Sequence, residues 1–296
     1  MLRLAVASRA ETYARIREPL AARDIDVVHL DVEEQAFSLD PATHAWRDLD
    51  VDVGYVFPSR LMEGAVATVL LDIPWVNDQA AVLRSRNKAG VLARLASADL
   101  PVPRSVLISN PVDETTLEAV WHTFDGPIVI KPNSTTHGVG VARTTDLDSF
   151  LGIADYLELV HDFRATGDKS FLVQEFIADA RDVRVMVIDG AVVGAVERKI
   201  ASDTSDTRWK HNVHRGAAAR PCTIEEETHE LVERVAAVMD IPLLGVDLLL
   251  TSDGPVVSET NARPTIDDAS KYVPDFYDRL AALVRETTRT GSVSTR

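Results

Sequence analysis

The chain has 296 residues, about twice the length of a common single domain, so it is long enough for two or three domains. Hydrophobic residues make up 46% and charged residues 26% of the composition, which excludes a chain disordered over most of its length. Acidic residues outnumber basic ones, 46 to 31, and the net charge of -15 repels phosphate backbones and anionic lipids. We therefore expect no nucleic-acid partner and no membrane partner.

The first part of the chain alternates short apolar runs with helical segments. Strands are predicted at 2–7, 26–30, 51–57 and 73–76, with helices at 11–23 and after Pro58. This rhythm is typical of a parallel sheet with crossover helices, so it predicts an N-terminal, Rossmann-like βαβ domain over residues 1–83. The turn G-x-G-x-x-G is missing, and we expect no dinucleotide site there.

The pattern then changes to that of an α+β region. It predicts one helix from Asp78 to Ala98, strands at 104–108 and 127–131, and helices at 113–122 and 147–160. From residue 171 strands predominate, followed by a helix at 225–239, a hairpin at 243–261, a helix at 274–286 and a disordered tail from 287. We place a central domain at 84–168 and a C-terminal domain at 169–296.

The predicted hairpin carries a pair of carboxylates. A three-residue loop at Ser252-Asp253-Gly254, with the glycine left-handed, places Asp247 directly opposite Glu259, and Asn261 on the same face. Two carboxylates and an amide oxygen are ligands suited to Mg²⁺. Two ordinary acids on a solvent-facing strand explain the pattern about equally well.

A second segment has the composition of an anion-binding loop. Lys131 ends an apolar strand, and a polar loop with Gly138 and Gly140 follows, whose backbone N–H groups and hydroxyls suit phosphate. It is not a Walker A loop, because the lysine precedes the glycines and no helix follows at once. Taken alone, the segment is better explained by a lysine that extends to solvent beside a glycine hairpin.

A third segment, residues 171–177, is an apolar strand that ends in Glu175-Phe-Ile. Its backbone groups suit a planar base, and the Glu175 carboxylate suits an exocyclic amine. An ordinary buried strand is the simpler interpretation of this segment alone.

Taken in order, these segments resemble the ATP-grasp superfamily, and within it the RimK-like α-L-glutamate ligases and LysX-type relatives. The residues that carry the likeness are Ser85-Arg-Asn-Lys88, Ile130-Lys131-Pro, Gln174-Glu-Phe-Ile177, Asp182-Val-Arg184-Val, Asn212-Val-His-Arg-Gly216, Gly245-Val-Asp247 and Glu259-Thr-Asn261. The resemblance implies an ATP-grasp fold, with two α+β subdomains that clamp ATP behind the N-terminal domain.

The resemblance also implies a role for each matching residue. The catalytic residues would be Arg198, Arg184 and Lys131. The nucleotide-binding residues would be Lys88, Lys131, Thr136, His137, Gly138, Gln174, Glu175, Phe176, Ile177, Asp182, Lys210, His211 and Asn212. The ligands of two Mg²⁺ ions, for which Mn²⁺ is a substitute, would be Asp247, Glu259 and Asn261.

The implied activity is that of an ATP-dependent carboxylate–amine ligase, whose partners are ATP, a carboxylate and an amine such as an amino acid. Arg263 departs from the glutamate-ligase pattern and would add a guanidinium beside the metals, suited to a substrate carboxylate. Two alternatives remain open: a nucleotide-binding regulatory module without ligase activity, and a ligase acting on a carrier protein or a pterin or deazaflavin cofactor.

The compartment and assembly are expected to be those of a cytoplasmic enzyme. Cys222 is the single cysteine, so no intrachain disulfide forms, and charged residues interrupt the first thirty positions. A homo-oligomer is compatible with the resemblance.

Overall fold

The structure is a computed structural model and describes residues 1–7, 11–135, 138–160, 168–199 and 218–291. Five predicted site residues lie outside this part of the chain: Thr136, His137, Lys210, His211 and Asn212. The described elements form three sheets with helices packed against them, which confirms the mixed α/β fold class.

The N-terminal residues form a four-stranded parallel sheet of order β2-β1-β3-β4. Its elements are β1 (Leu2–Val6), α1 (Glu11–Ala21), β2 (Ile25–His29), β3 (Val53–Val56), α2 (Leu61–Leu71) and β4 (Trp75–Asn77). The predicted βαβ alternation is therefore confirmed. Because all four strands run in one direction, their carboxyl ends meet at one edge, where ligands of open α/β sheets bind.

Two helices follow where the sequence predicts one. They are α3 (Gln79–Arg86) and α4 (Lys88–Ala96). Asn87 interrupts them with a non-helical ψ of 89°, and its side chain accepts a hydrogen bond from Gly90 N at 2.9 Å, which caps the start of α4. The predicted continuous helix from Asp78 to Ala98 is wrong because this asparagine ends one helix and begins the next.

The central sheet has four antiparallel strands in the order β5-β8-β6-β7. Its elements are β5 (Ser105–Ser109), α5 (Glu114–Trp121), β6 (Ile128–Pro132), β7 (Ala142–Thr144), α6 (Leu147–Val160) and β8 (Ser170–Glu175). Side chains of both helices pack with those of β6 and β8 in one apolar cluster, which includes Phe150, Ile130 and Phe171. The domain boundaries after residues 83 and 168 stay a prediction, and β8 pairs with β5 and β6.

The third sheet has five antiparallel strands in the order β11-β10-β9-β12-β13. Its elements are β9 (Arg181–Ile188), β10 (Ala191–Lys199), β11 (Ala218–Pro221), α7 (Glu226–Met239), β12 (Leu243–Thr251), β13 (Gly254–Asn261) and α8 (Phe276–Gly291). The apolar side of α7 packs on the side chains of Val183, Val246 and Leu248. Two residues of the N-terminal region, Leu4 and Tyr55, pack with Phe276 of α8.

The hairpin of β12 and β13 has the predicted pairing but a different turn. Thr251 pairs with Gly254, so the loop has the two residues Ser252 and Asp253, and the predicted three-residue loop is wrong. The register then shifts by one residue at a bulge between Asp247 and Leu248. This shift leaves Asp247 opposite Glu259, as predicted, by a route that the sequence analysis did not foresee.

The C-terminal helix is longer than predicted. It continues through residues 287–291, which the sequence analysis assigned to a disordered tail. Within the described residues, no helix combines the length and apolar composition that a membrane crossing requires.

Candidate active site

A row of ionisable residues crosses the third sheet. Arg184 on β9 lies opposite Asp247 on β12, and Asp247 lies opposite Glu259 on β13. On the other side of β9, Asp182 lies opposite Arg198 of β10. Antiparallel pairing places the side chains of directly opposed residues on the same face. The fold thus brings residues separated by up to 77 positions into one charged cluster.

Asp247 is the most strongly paired member of this cluster. Its two carboxylate oxygens accept from Nε and NH2 of Arg184 at 2.6 and 2.7 Å, and one oxygen lies 3.2 Å from the Arg198 guanidinium. Burial by itself raises the pKa of Asp247, but the two guanidinium groups outweigh it and hold the pKa well below its usual range. Asp247 is therefore ionised and its charge is compensated by two arginines.

Arg198 bridges Asp247 and a second carboxylate. Its Nε donates to Oδ1 of Asp182 at 2.9 Å. Burial lowers the pKa of Arg198, whereas Asp247 and Asp182 raise it by more, so the guanidinium remains charged. Asp182, which the resemblance places among the nucleotide-binding residues, thus lies in the ion-pair network of Asp247.

Lys88 and Lys131, the two lysines predicted to bind the nucleotide that lie within the described residues, are buried, with only 7% of each residue exposed. Burial lowers the pKa of Lys131 to about 8, while Glu259 opposes the shift and Lys88 adds to it. The Lys88 ammonium lies 3.6 Å from the Glu259 carboxylate and also donates to the Thr135 carbonyl. The two lysines therefore lie on the Glu259 side of the charged row.

The loop after Lys131 is hydrogen-bonded to the start of α4. Asn133 accepts from Ala89 N at 2.8 Å through its side chain, and its carbonyl accepts from Lys88 N at 3.3 Å. The buried hydroxyl of Ser134 has no hydrogen-bond partner within the described part of the chain. An unused buried donor is costly unless a ligand completes it, and a phosphate oxygen is a suitable acceptor. Gly138, with a φ of 66°, continues this loop beyond the two undescribed residues.

The predicted adenine segment lies at the end of β8. Glu175 accepts from Arg104 N at 2.7 Å through one carboxylate oxygen, and Phe176 N donates to the Pro127 carbonyl at 2.9 Å. The Arg143 guanidinium stacks on the Phe176 ring at 4.8 Å from its centroid.

Two neighbours of Glu175 complete that segment. Gln174 is buried and donates to Ser105 Oγ at 2.8 Å, and Ile177 follows the strand. Glu175 and Gln174 therefore already use, within the protein, part of the hydrogen-bonding capacity that was predicted to bind a base.

Arg86 is a site residue that the sequence analysis quoted in a motif and left without a role. It ends α3, and its neighbour Ser85 bonds Thr260 Oγ1 at 3.2 Å and accepts from Ala262 N at 3.0 Å. These bonds place Arg86 beside Arg263, whose pKa is lowered to about 10 by burial and by the charge of Arg86. Only the folded chain shows this pair, because 176 residues separate its members in sequence.

The donor set fits Mg²⁺ with one restriction. Glu259 and Asn261 lie on one face of β13, and the Asn261 side-chain oxygen accepts from Arg263 N at 2.8 Å. A carboxylate has about four acceptor positions, and the arginines already occupy three of those of Asp247. Within the described ranges, no group of three or more His, Cys, Asp or Glu side chains is placed to hold a metal ion.

A family model of the RimK-like ATP-grasp domain matches residues 85–278. The chain belongs to the RimK-like ATP-grasp family. A probable alpha-L-glutamate ligase of Hydrogenovibrio crunogenus is 30% identical over 225 residues, which cover 75% of this chain and 70% of that protein.

A second probable alpha-L-glutamate ligase, from Shewanella halifaxensis, is 28% identical over 277 residues, or 88% of this chain. The match covers 58% of that longer relative, so this RimK-like chain spans less than two thirds of its length. Among solved structures, a RimK domain ATP-grasp protein of Sphaerobacter thermophilus is similar, with a TM-score of 0.65, 23% identity and coverage of 97% and 99% of the two chains. This likeness supports the ATP-grasp fold.

Proposed function

We propose that this chain is an ATP- and Mg²⁺-dependent carboxylate–amine ligase that joins an amino acid, with glutamate as the first candidate, to a carboxylate through an acyl phosphate. The observation that carries the proposal is the charged cluster, in which Lys88 and Lys131 are buried next to Glu259 and Asp247. Buried lysines without a ligand are costly, and phosphate oxygens are the anions that compensate them. The names of the ligase relatives support the reaction type and glutamate.

The first step is the attack of a substrate carboxylate on the terminal phosphate of ATP, which gives an acyl phosphate and ADP. Both reactants are anions, so the main obstacle is charge repulsion. Lys131 and Lys88 neutralise phosphate oxygens, and Arg198 faces the transferred group. The Ser134 hydroxyl and the backbone at Gly138 donate to the same oxygens.

The second step is the attack of the amine on the acyl carbonyl, with release of phosphate. No protein nucleophile is required in either step. Mg²⁺ at Asp247, Glu259 and Asn261, as two ions or with Mn²⁺ in their place, would supply charge neutralisation between the phosphates. Arg184 holds Asp247 in position, and Glu175 and Phe176 hold the adenine, flanked by Gln174 and Ile177.

Phosphate release measured with ATP, Mg²⁺, L-glutamate and a panel of carboxylates tests the proposal. We expect E259Q to lower kcat by about 100-fold or more, because a metal ligand is removed. The matched control is D253N, which removes one acid from the turn of the same hairpin. If D247N combined with E259Q leaves ADP formation unchanged, the metal assignment is wrong. Binding of ATP without phosphate release for any pair of substrates would instead identify a nucleotide-binding module.

A further inference from the structure

Two arginines, Arg86 and Arg263, lie near each other and next to the proposed metal ligand Asn261, and neither forms an ion pair within the described residues. Neither Arg86 nor Arg263 has a carboxylate oxygen within 4.0 Å among the residues that the structure describes. The two other arginines of the site, Arg184 and Arg198, are both paired with Asp247. Arg184 and Arg198 are therefore a compensated pair of charges, and Arg86 and Arg263 are an uncompensated pair.

The fold holds the uncompensated pair in place from both sides. Ser85, adjacent to Arg86, is bonded to Thr260 and to Ala262, which immediately precedes Arg263. Arg263 also donates to the Phe57 carbonyl, just beyond the carboxyl end of β3. The side chain is therefore fixed at the sheet edge where α/β folds bind ligands.

The electrostatics of the pair call for an anion. Both residues are half-buried, the charge of Arg86 disfavours that of Arg263, and the Glu33 carboxylate, which lies beyond ion-pair distance, offsets this only in part. Two half-buried like charges are stabilised when a carboxylate binds between them, because guanidinium groups bind carboxylates bidentately. A buried hydroxyl nearby, that of Tyr55, has no hydrogen-bond partner within the described residues and interacts electrostatically with Arg263.

We infer that Arg86 and Arg263 form a binding subsite for a substrate carboxylate that is not phosphorylated. The inference rests on the proposed ligase function and narrows its substrates to those with a spare carboxylate. That group belongs either to the amine substrate, as in an amino acid, or to an acid substrate with two carboxylates. Because Asn261 and Arg263 are two residues apart, the subsite lies beside the metal ligands and places the bound substrate at the site of transfer.

Phosphate release with matched substrates tests the subsite. L-glutamate is compared with isoglutamine and glutamine, in which one carboxylate is an amide, and N-acetyl-L-glutamate is compared with its two monoamides as acid substrates. We expect that, with the wild-type protein, at least one of these amides has a kcat/KM at least 100-fold below that of its parent acid. R86Q and R263Q should each raise the KM for the carboxylate form by at least tenfold, with the KM for ATP changed less than twofold.

The matched control is R94Q, which removes an exposed arginine from α4 and should behave like the wild type. R263K keeps the charge and is expected to retain part of the selectivity, and R86Q decides the question alone if R263Q does not fold. Wild-type protein that uses every amide as well as its parent acid would overturn the subsite while the ligase function stands.

Calorimetric titration without ATP separates the two proposals further. Binding of glutamate or N-acetylglutamate by the wild type, lost in R86Q and kept in R94Q, supports the subsite even if no pair of substrates releases phosphate. Equal heats of binding in the wild type and R86Q contradict it.

Discussion

Replacement of Asp247 by asparagine tests whether the buried ion pair stabilises the fold independently of catalysis. The carboxylate is 8% exposed and bonded at 2.6 and 2.7 Å to Arg184, whose side chain is 29% exposed. Removal of one partner of a buried pair costs about 3–5 kcal/mol, because the other charge is left uncompensated. Asparagine keeps one acceptor oxygen, so we expect a loss of about 3 kcal/mol.

The pH dependence of this loss has a defined sign. The folded pKa of Asp247 lies below its unfolded value, so the stabilisation is complete above the unfolded pKa and is lost as the pH falls toward the folded one. With an unfolded pKa of about 3.9, the difference between wild type and D247N should be constant from pH 5 to 8 and smaller by roughly 1 kcal/mol at pH 3.

Urea unfolding in EDTA measures this effect without any contribution from a bound metal. D253N, an exposed turn variant of the same hairpin, should stay within about 0.5 kcal/mol of the wild type. Adding R184Q to D247N should recover part of the loss, because it removes the unpaired guanidinium, with a coupling of at least about 1 kcal/mol. A D247N variant that is within 1 kcal/mol of the wild type at pH 7, or whose deficit is the same at pH 3, would refute the reasoning.

Three further predictions follow from single contacts. K131M should be more stable than the wild type by roughly 2 kcal/mol at pH 7, because burial lowers the Lys131 pKa from 10.5 to about 8. In urea unfolding this gain in stability should shrink toward pH 10. It should be absent in the control K169M, which replaces an exposed lysine. G194A should lower the free energy of unfolding by about 1–3 kcal/mol, because a Cβ at this position would lie 2.5 Å from the Lys271 carbonyl oxygen. The control G152A, where a Cβ meets open space, should not lower it in the same urea unfolding experiment. E175Q should raise the KM for ATP roughly tenfold without raising that for GTP, because adenine has an amine at C6 where guanine has a carbonyl oxygen.

The sequence predicts local elements well where periodicity and turn residues agree. The parallel N-terminal sheet, α7 and the two strands of the β12–β13 hairpin lie where the pattern places them. The helix break at Asn87 was missed because asparagine within an apolar periodic run is compatible with either a helix or a cap. That break matters for the site, since it separates Arg86 at the end of α3 from Lys88 at the start of α4.

The pairing of Asp247 with Glu259 shows a correct prediction reached through an incorrect turn. A two-residue loop by itself shifts the register by one and opposes Asp247 to Ser258, whose side chain points to the other face. The bulge next to Asp247 restores the predicted pair. Bulges depend on how a strand packs within its sheet, so the sequence alone does not reveal them.

The charged cluster itself was only partly accessible from the sequence. Arg184 and Asp247 meet because β9 is inserted between β10 and β12, a long-range arrangement that no local pattern encodes. The resemblance supplied both residues but gave them separate roles, one catalytic and one metal-binding. The structure shows that the two side chains are in direct contact and form one ion pair.

The distribution of charge explains how an acidic chain can hold a polyanion. Four cations of the cluster, Lys88, Lys131, Arg184 and Arg198, face the three carboxylates of Asp182, Asp247 and Glu259, which leaves one formal positive charge. The uncompensated pair Arg86 and Arg263 adds two more at the adjacent edge. Under the proposed function, the charges of ATP and two Mg²⁺ ions nearly cancel each other, so the site would need little extra positive charge from the protein. In the proposed reaction this surplus would be available for the substrate carboxylates, and the acidic excess of the chain, whose net charge is -15, lies outside these residues.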